Sequence, residues 1–417
     1  MNVRKLVFDA VDLLRGSPVR ESFSELESSF PGCPQERSKR LNAILEHATK
    51  TTEHYRKFAD IKELADFPVL NKSIIKNNFD SFVSENFKEK LTKLRKATTS
   101  GSYGTPFTFY LSNEKRQRMV AEVYYFGKSS GFELGVKHAY LVSKRKPKLA
   151  QFIQNQVMVT VDRLDDAWCS EAVSLLRKER VKVLVGYPSA IARIARYLLQ
   201  RNERLEMRGV ITISEVLTAE MRSDIALAFD CKPVSRYSTE EFGVLANQDP
   251  SGDFFWVNQH NYVIEILSLE SDQPVEVGEL GRIVVTDLYS HVMPLIRYDI
   301  GDLARPLEMV DGVVTKIEAV EGRTLASIRD VQGAYISPFV INGSLRESSE
   351  IVQFQFSQEG IDRYLLKLVV NAEVDEQKLI NLYKSILGDS ATVQIEYVDD
   401  IPPLPSGKRP YIIQNFY

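Results

Sequence analysis

Between Ala139 and Tyr237 the sequence alternates short apolar runs with longer segments of helical spacing, and this alternation leaves few architectures open. Ala139-Tyr140-Leu141-Val142, Val181 to Val185, Gly209-Val210-Ile211-Thr212-Ile213-Ser214 and Pro233-Val234-Ser235-Arg236-Tyr237 read as strands. Asp166 to Arg177, Ser189 to Leu199 and Thr218 to Phe229 repeat apolar residues at three- and four-residue intervals, and Thr218 offers a hydroxyl N-cap. Strand, helix and strand in that order join parallel neighbours, so the spacing predicts an α/β layer with helices on the faces of a parallel sheet. Such sheets bind ligands in the loops beyond the carboxyl ends of their strands.

The flanking sequence has a different texture. Residues 1–95 are mainly helical, with Leu41, Ile44, Leu45 and Ala48 on one face. Beyond Gly243 strands alternate, most clearly in Tyr262–Leu267 and Arg282–Thr286, with Gly278-Glu279-Leu280-Gly281 turning between them. After Gly322-Arg323, apolar runs at 351–356, 364–370 and 393–398 and a helix over 375–387 make a βαβ-like unit of fewer than 100 residues. The expected division is therefore 1–322, made of a helical segment 1–95, αβ layers 96–243 and a β-rich subdomain 244–322, followed by a small domain 323–417.

Charge narrows the partners. The 417 residues include 53 basic and 56 acidic side chains, and a net charge of −3 gives no global field for nucleic acid or an anionic membrane. No apolar run reaches the roughly 20 residues that cross a bilayer. Cys33, Cys169 and Cys231 are isolated, without a CxxC pair, which argues against a disulfide framework or a zinc site and for a reducing, cytoplasmic setting. His47, His54, His138, His260 and His291 share no metal-ligand spacing and read as structural.

Chemistry accumulates in loops. Thr98-Thr99-Ser100-Gly101-Ser102-Tyr103-Gly104-Thr105-Pro106 combines hydroxyls with glycines, which let backbone N–H groups approach an anion closely, although the lysine of a P-loop is absent. Arg236-Tyr237-Ser238-Thr239-Glu240-Glu241-Phe242-Gly243 sets a ring, two hydroxyls and two carboxylates at the end of a strand, suited to a purine and to Mg²⁺. Asp302, after Arg297-Tyr298-Asp299-Ile300-Gly301, is a candidate acceptor for ribose hydroxyls, with an Asx-turn cap as the alternative. Arg323 offers a cation at the domain junction, and Lys408 stands at the tip of the stiff loop Ile401-Pro402-Pro403-Leu404-Pro405-Ser406-Gly407-Lys408. Tyr187, Ser214 and Glu215 follow two sheet strands and are candidates to line a cavity, with turn and capping roles as the alternative. The run Lys144-Arg145-Lys146-Pro147-Lys148 reads as a solvated loop before coenzyme A phosphates are considered.

Taken in this order, the stretches Thr99–Pro106, Tyr237–Gly243, Arg297–Asp302, Gly322-Arg323 and Ser406-Gly407-Lys408 resemble the adenylate-forming superfamily of acyl-CoA synthetases, peptide-synthetase adenylation domains and luciferases. Within it they resemble phenylacetate-CoA ligase-like proteins, including the capsular-polysaccharide-biosynthesis branch. The resemblance implies a large N-terminal domain of parallel αβ sheets with a small β-barrel, and a small mobile α+β C-terminal domain. It also implies that Thr99, Ser100, Gly101, Ser102 and Gly104 hold ATP phosphates, that Tyr237 stacks on adenine beside Ser238 and Thr239, and that Glu241 binds Mg²⁺. Asp302 would hold the ribose, Arg323 the ribose or a phosphate, and Lys408 would bridge the carboxylate and the α-phosphate. The implied activity is ATP-dependent activation of a small carboxylic acid, followed by transfer to CoA or an amine; a protein that binds ATP or AMP without turnover is the other possibility. The chain departs from the pattern at Thr105, where a lysine often stands, at Glu240, which leaves Thr239-Glu240 as an alternative metal-site pair, and at Leu325-Ala326 in place of an acidic hinge.

Overall fold

The computed structural model describes residues 3–98, 108–143, 146–161, 164–321, 328–336, 340–341, 345, 350–401 and 412–414. Its contacts separate two compact units. Met1–Ser100, Pro106–Leu134 and Val234–Arg323 form the first; Gly101–Thr105, Gly135–Pro233 and Thr324–Tyr417 form the second.

In the first unit, helices Val3–Leu14, Pro18–Ser29 and Pro34–Thr51 lead the chain. The third begins on Pro34, where a missing N–H costs nothing, and buries Ile44, Leu45 and Ala48 as their spacing requires. Antiparallel strands follow one another across this unit in the order Tyr262–Leu267, Gly281–Asp287, Tyr298–Val310, Val313–Glu321, Phe255–Val257, Gly243–Gln248 and Pro233–Thr239. Gly243–Gln248 is buried along its whole length. Helix Asn113–Gly127 closes on it, with the Glu122 carboxylate accepting the Val244 N–H at 2.8 Å.

The second unit contains the parallel layer, in the order Gly209–Ile213, Val183–Gly186, His138–Val142 and Gln156–Thr160. The last of these strands goes beyond the sequence pattern, because Gln156 and Thr160 bracket its apolar centre and mask its character. Helix Pro188–Leu199 buries Ile191, Ile194 and Leu198, worth roughly 1.5–3 kcal/mol each. Thr218 caps helix Ala219–Phe229 by accepting the Met221 N–H at 3.2 Å, and Arg196 ties the two helices together through Asp224 at 2.6 Å and Glu220 at 3.0 Å.

The C-terminal part of this unit carries a four-stranded sheet ordered Thr392–Tyr397, Arg363–Val370, Ile351–Gln358 and Ile412–Gln414. Helix Glu376–Leu387, capped by Asp375 on the Lys378 N–H at 3.0 Å, crosses from Arg363–Val370 to its parallel neighbour Thr392–Tyr397. The βαβ reading of this stretch therefore holds, preceded by one antiparallel strand. Among the described residues no helix is long and apolar enough to cross a membrane.

Candidate active site

The strand Pro233–Thr239 is well buried at its start and partly open from Tyr237 onwards, so its last three side chains stand at the sheet's end. The Tyr237 hydroxyl donates to Oδ2 of Asp302 at 2.7 Å. A carboxylate has about four lone-pair directions, and this bond aligns the group beside the phenol ring. Ring and carboxylate thus form one edge in which a flat base and a ribose diol can be held side by side.

The backbone around Asp302 explains its placement. Between the pairs Leu303–Arg282 and Asp299–Val284 the register shifts, so extra residues bulge from Tyr298–Val310 at Ile300-Gly301-Asp302. Bulges re-aim side chains. Gly301 takes φ +80°, a conformation glycine adopts without strain. Asp299 makes an Asx turn, accepting the Gly301 N–H at 2.8 Å while Arg282 pairs with its other oxygen at 3.1 Å. Arg297, 2% exposed, anchors the approach: its guanidinium reaches Glu265 at 3.0 Å and the carbonyls of Ala65 and Phe67 at 2.6 and 2.7 Å. The charged motif before Asp302 is therefore structural, holding the helical N-terminal segment against the strand that presents the aspartate.

Glu240 and Glu241 occupy the turn to Gly243–Gln248, the first exposed and the second half-buried. Thr239 Oγ1 accepts the Phe242 N–H at 3.2 Å and closes the turn. Phe242 is fully buried, and its carbonyl accepts the hydroxyl of Tyr262. Behind it lies a buried polar group that sequence reasoning passed over. Glu122 accepts from Val244 N at 2.8 Å and Asn261 Nδ2 at 2.6 Å and lies 2.8 Å from Tyr262 OH, whose single proton it shares with the Phe242 carbonyl, while Lys115 Nζ meets Asp287 at 2.7 Å and Tyr262 OH at 3.0 Å. Burial pushes the Glu122 carboxyl above the usual carboxylate range, against the opposing pull of Lys115 and its hydrogen-bond donors. Burial, with Glu122 and Asp287 nearby, likewise raises the Tyr262 phenol far above its ordinary value. The legible signal was helical phase: Lys115, Met119, Glu122 and Phe126 share one face of Asn113–Gly127, which puts two charges where an apolar stripe belongs.

In the second unit, Tyr187 is 5% exposed and precedes helix Pro188–Leu199. Glu215 accepts the Ser189 N–H at 3.3 Å at that helix's start, and Ser214 is exposed with φ +69°. Ser238 and Thr239 share Tyr237's strand. Thr99, Ser100, Gly101, Ser102, Gly104, Arg323 and Lys408 lie outside the described residues. Among the described residues no three His, Cys, Asp or Glu side chains form a metal cluster. Mg²⁺ does not require one, since it commonly takes one or two carboxylates together with phosphate and water oxygens. Glu241, on a turn braced from two sides, fits that donor set.

Residues 329–415 match the CapK C-terminal domain family. Over 376 residues, 85% of this chain and 81% of the relative, the sequence is 26% identical to Protein CapK of Staphylococcus aureus. It is 22% identical to a phenylacetate-coenzyme A ligase of Pseudomonas putida over 416 residues, 93% of this chain and 87% of that one. The crystal structure of 2-hydroxyisobutyryl-CoA ligase in complex with 2-HIB-AMP and CoA, in its thioesterification state, superposes with a TM-score of 0.59 over 92% of this chain and 89% of that chain, at 16% identity.

Proposed function

We propose that this chain, a member of the adenylate-forming superfamily with a CapK-type C-terminal domain, is a ligase that activates a carboxylic acid as its acyl-adenylate and passes the acyl group to CoA or another acceptor. The observation that carries this reading is the Tyr237–Asp302 hydrogen bond, which joins the two residues assigned to adenine and ribose across 65 positions of sequence.

In this reading Tyr237 stacks on adenine, with Ser238 and Thr239 beside it, and Asp302 binds the ribose hydroxyls. Thr99, Ser100, Gly101, Ser102 and Gly104 wrap the phosphates, with Arg323 near the ribose or a phosphate. Glu241 holds Mg²⁺, with Glu240 as the neighbouring alternative; the ion would supply positive charge beside the phosphates. Lys408 acts as a point charge between the acid and the α-phosphate. A carboxylate oxygen attacks the α-phosphorus, the bond from that phosphorus to its bridging oxygen breaks, and pyrophosphate leaves. The task is positioning and charge neutralisation, so no covalent nucleophile is required. Tyr187, Ser214 and Glu215 are assigned to the acyl substrate, and residues 323–417 to a lid that turns between the two half-reactions.

The test is ATP–pyrophosphate exchange across a library of carboxylic acids. Acid-dependent exchange supports the ligase reading; AMP binding without exchange for any acid would leave a nucleotide-binding protein. Dependence of product formation on CoA thiol, against dependence on an amine, then identifies the acceptor.

A further inference from the structure

Arg236 stands one residue before Tyr237 and is 6% exposed. Its Nε and Nη1 are both buried, and among the described residues neither has a hydrogen-bond partner. Arg297, buried to a similar degree, shows the ordinary treatment of such a group, with Glu265 and two backbone carbonyls filling its fork. Arginine keeps its charge in proteins, and an unpaired charge removed from water is strongly unfavourable. Among the described residues no carboxylate pairs with Arg236, which leaves a place that an anion would fill.

The strand's geometry separates this anion from the nucleotide. Consecutive residues of a strand point to opposite faces. Tyr237 lies opposite Ala246 and turns its hydroxyl to Asp302, whereas Arg236 lies opposite Asn247 and shares that residue's face. The register shift begins only after Tyr237, so the alternation is intact at this pair. Asn247 is itself 7% exposed and adds a second polar side chain to the face. The guanidinium is therefore adjacent in sequence to the residue assigned to adenine, yet on the other side of the strand from it.

We infer that Arg236 binds a second anionic group on the acyl substrate, so that the acid activated here carries, besides its reacting carboxylate, another carboxylate or a phosphate. This rests on the ligase reading above. It makes Arg236 a specificity residue, its planar fork matched to a two-oxygen anion.

The experiment uses the full chain and matched acids: butyrate against succinate, pentanoate against glutarate, and phenylacetate against 4-carboxyphenylacetate. In pyrophosphate exchange the dianionic member of a pair should exceed its partner at least tenfold in kcat/KM. Arg236→Gln should erase or invert that preference with ATP affinity unchanged, and Arg236→Lys should retain part of it. Preference for monoanions in the native chain, or an unchanged preference in Arg236→Gln, overturns the inference. Calorimetry without ATP is the second arm. In a buffer free of small anions Arg236→Gln should melt at or above the native temperature, because an uncompensated charge is gone, and succinate or glutarate should raise the melting temperature of the native chain alone. If chloride or inorganic phosphate reproduces that rise and the dicarboxylates add nothing, Arg236 holds a free anion and the substrate assignment is wrong. If exchange is absent with every acid while the dicarboxylate shift still depends on Arg236, the ligase reading fails and the anion site stands.

Discussion

The hydroxyl of Tyr237 lies 2.7 Å from Oδ2 of Asp302, although the two residues belong to different strands and are separated by three others in the order of the sheet. Removing the hydroxyl alone tests the pairing. Tyr237→Phe keeps the ring and deletes a bond to a charged acceptor, worth about 1 kcal/mol at this partly exposed site, so the ATP dissociation constant should rise about fivefold. Tyr237→Ala also removes the stacking surface, worth about 1–3 kcal/mol, and should raise it by about fivefold or more beyond that. Isothermal titration with ATP measures both, and unchanged affinity in the alanine variant would remove Tyr237 from the nucleotide edge.

Glu122 holds the far side of the Glu240-Glu241 turn through Val244 N–H. In Glu122→Gln an amide NH₂ replaces an acceptor that faces four donors, Val244 N, Asn258 Nδ2, Asn261 Nδ2 and Tyr262 OH. One of them loses its partner inside the core, at a cost of about 2–4 kcal/mol. A thermal melt should fall by several degrees, and acid-dependent exchange should fall with it at temperatures where the variant remains folded. A variant as stable as the native chain would show that the network is slack.

Gly243 has φ +109°, and a side chain there would collide with Glu122 Oε2 and press on Met119 at 3.0 Å and Tyr262 OH at 3.1 Å. Gly243→Ala is expected to cost about 3 kcal/mol or more from strain and crowding together. Gly278→Ala is the control, since Gly278 has φ +87° with nothing within 4 Å of the added carbon; only the conformational part, about 1 kcal/mol, should appear. Equal losses in urea denaturation would mean that the buried carboxylate yields to the methyl group.

Histidine burial sets an acid limit. His138 and His260 are 4% and 3% exposed, and burial pulls each down from 6.5 to about 4, with Arg40 adding to the effect at His260. A base with a depressed folded value is protonated first in the unfolded chain. Its contribution is therefore full above pH 6.5 and is lost as pH falls to about 4. Each histidine should account for on the order of 2–3 kcal/mol across that window. Melting temperatures of the native chain should fall more steeply between pH 6.5 and 4 than those of His138→Gln or His260→Gln, and parallel curves would refute the assignment.

Lys408→Ala tests the catalytic cation apart from nucleotide binding. If the lysine acts on the transition state, exchange should fall at least a hundredfold with the ATP dissociation constant changed less than threefold, by roughly the 2.7 kcal/mol or more that such a ratio represents. Equal losses in rate and affinity would place the lysine in ground-state binding instead.

Much of this fold is written in local pattern. The strand at Val183–Gly186, the helix at Pro188–Leu199 and the cap at Thr218 follow from the spacing and chemistry of a few neighbouring residues. The strand Gln156–Thr160 escaped because polar residues sit at its ends, and the Asx turn that Asp299 makes was not assigned because an Asx turn and a ligand-binding aspartate look alike in sequence.

By itself the sequence determined the α/β order of elements, the β-rich stretch beyond Gly243 and the serial order of the candidate loops, because periodicity and capping depend on contacts a few residues apart. Only the tertiary structure decided that Tyr237 meets Asp302, that Glu122 and Lys115 lie in the core behind the Glu241 turn, and that Arg236 is buried without a counter-charge among the described residues. Those facts depend on strand order, register and a bulge, where distant segments exclude water from one another, and no window of local sequence contains that information.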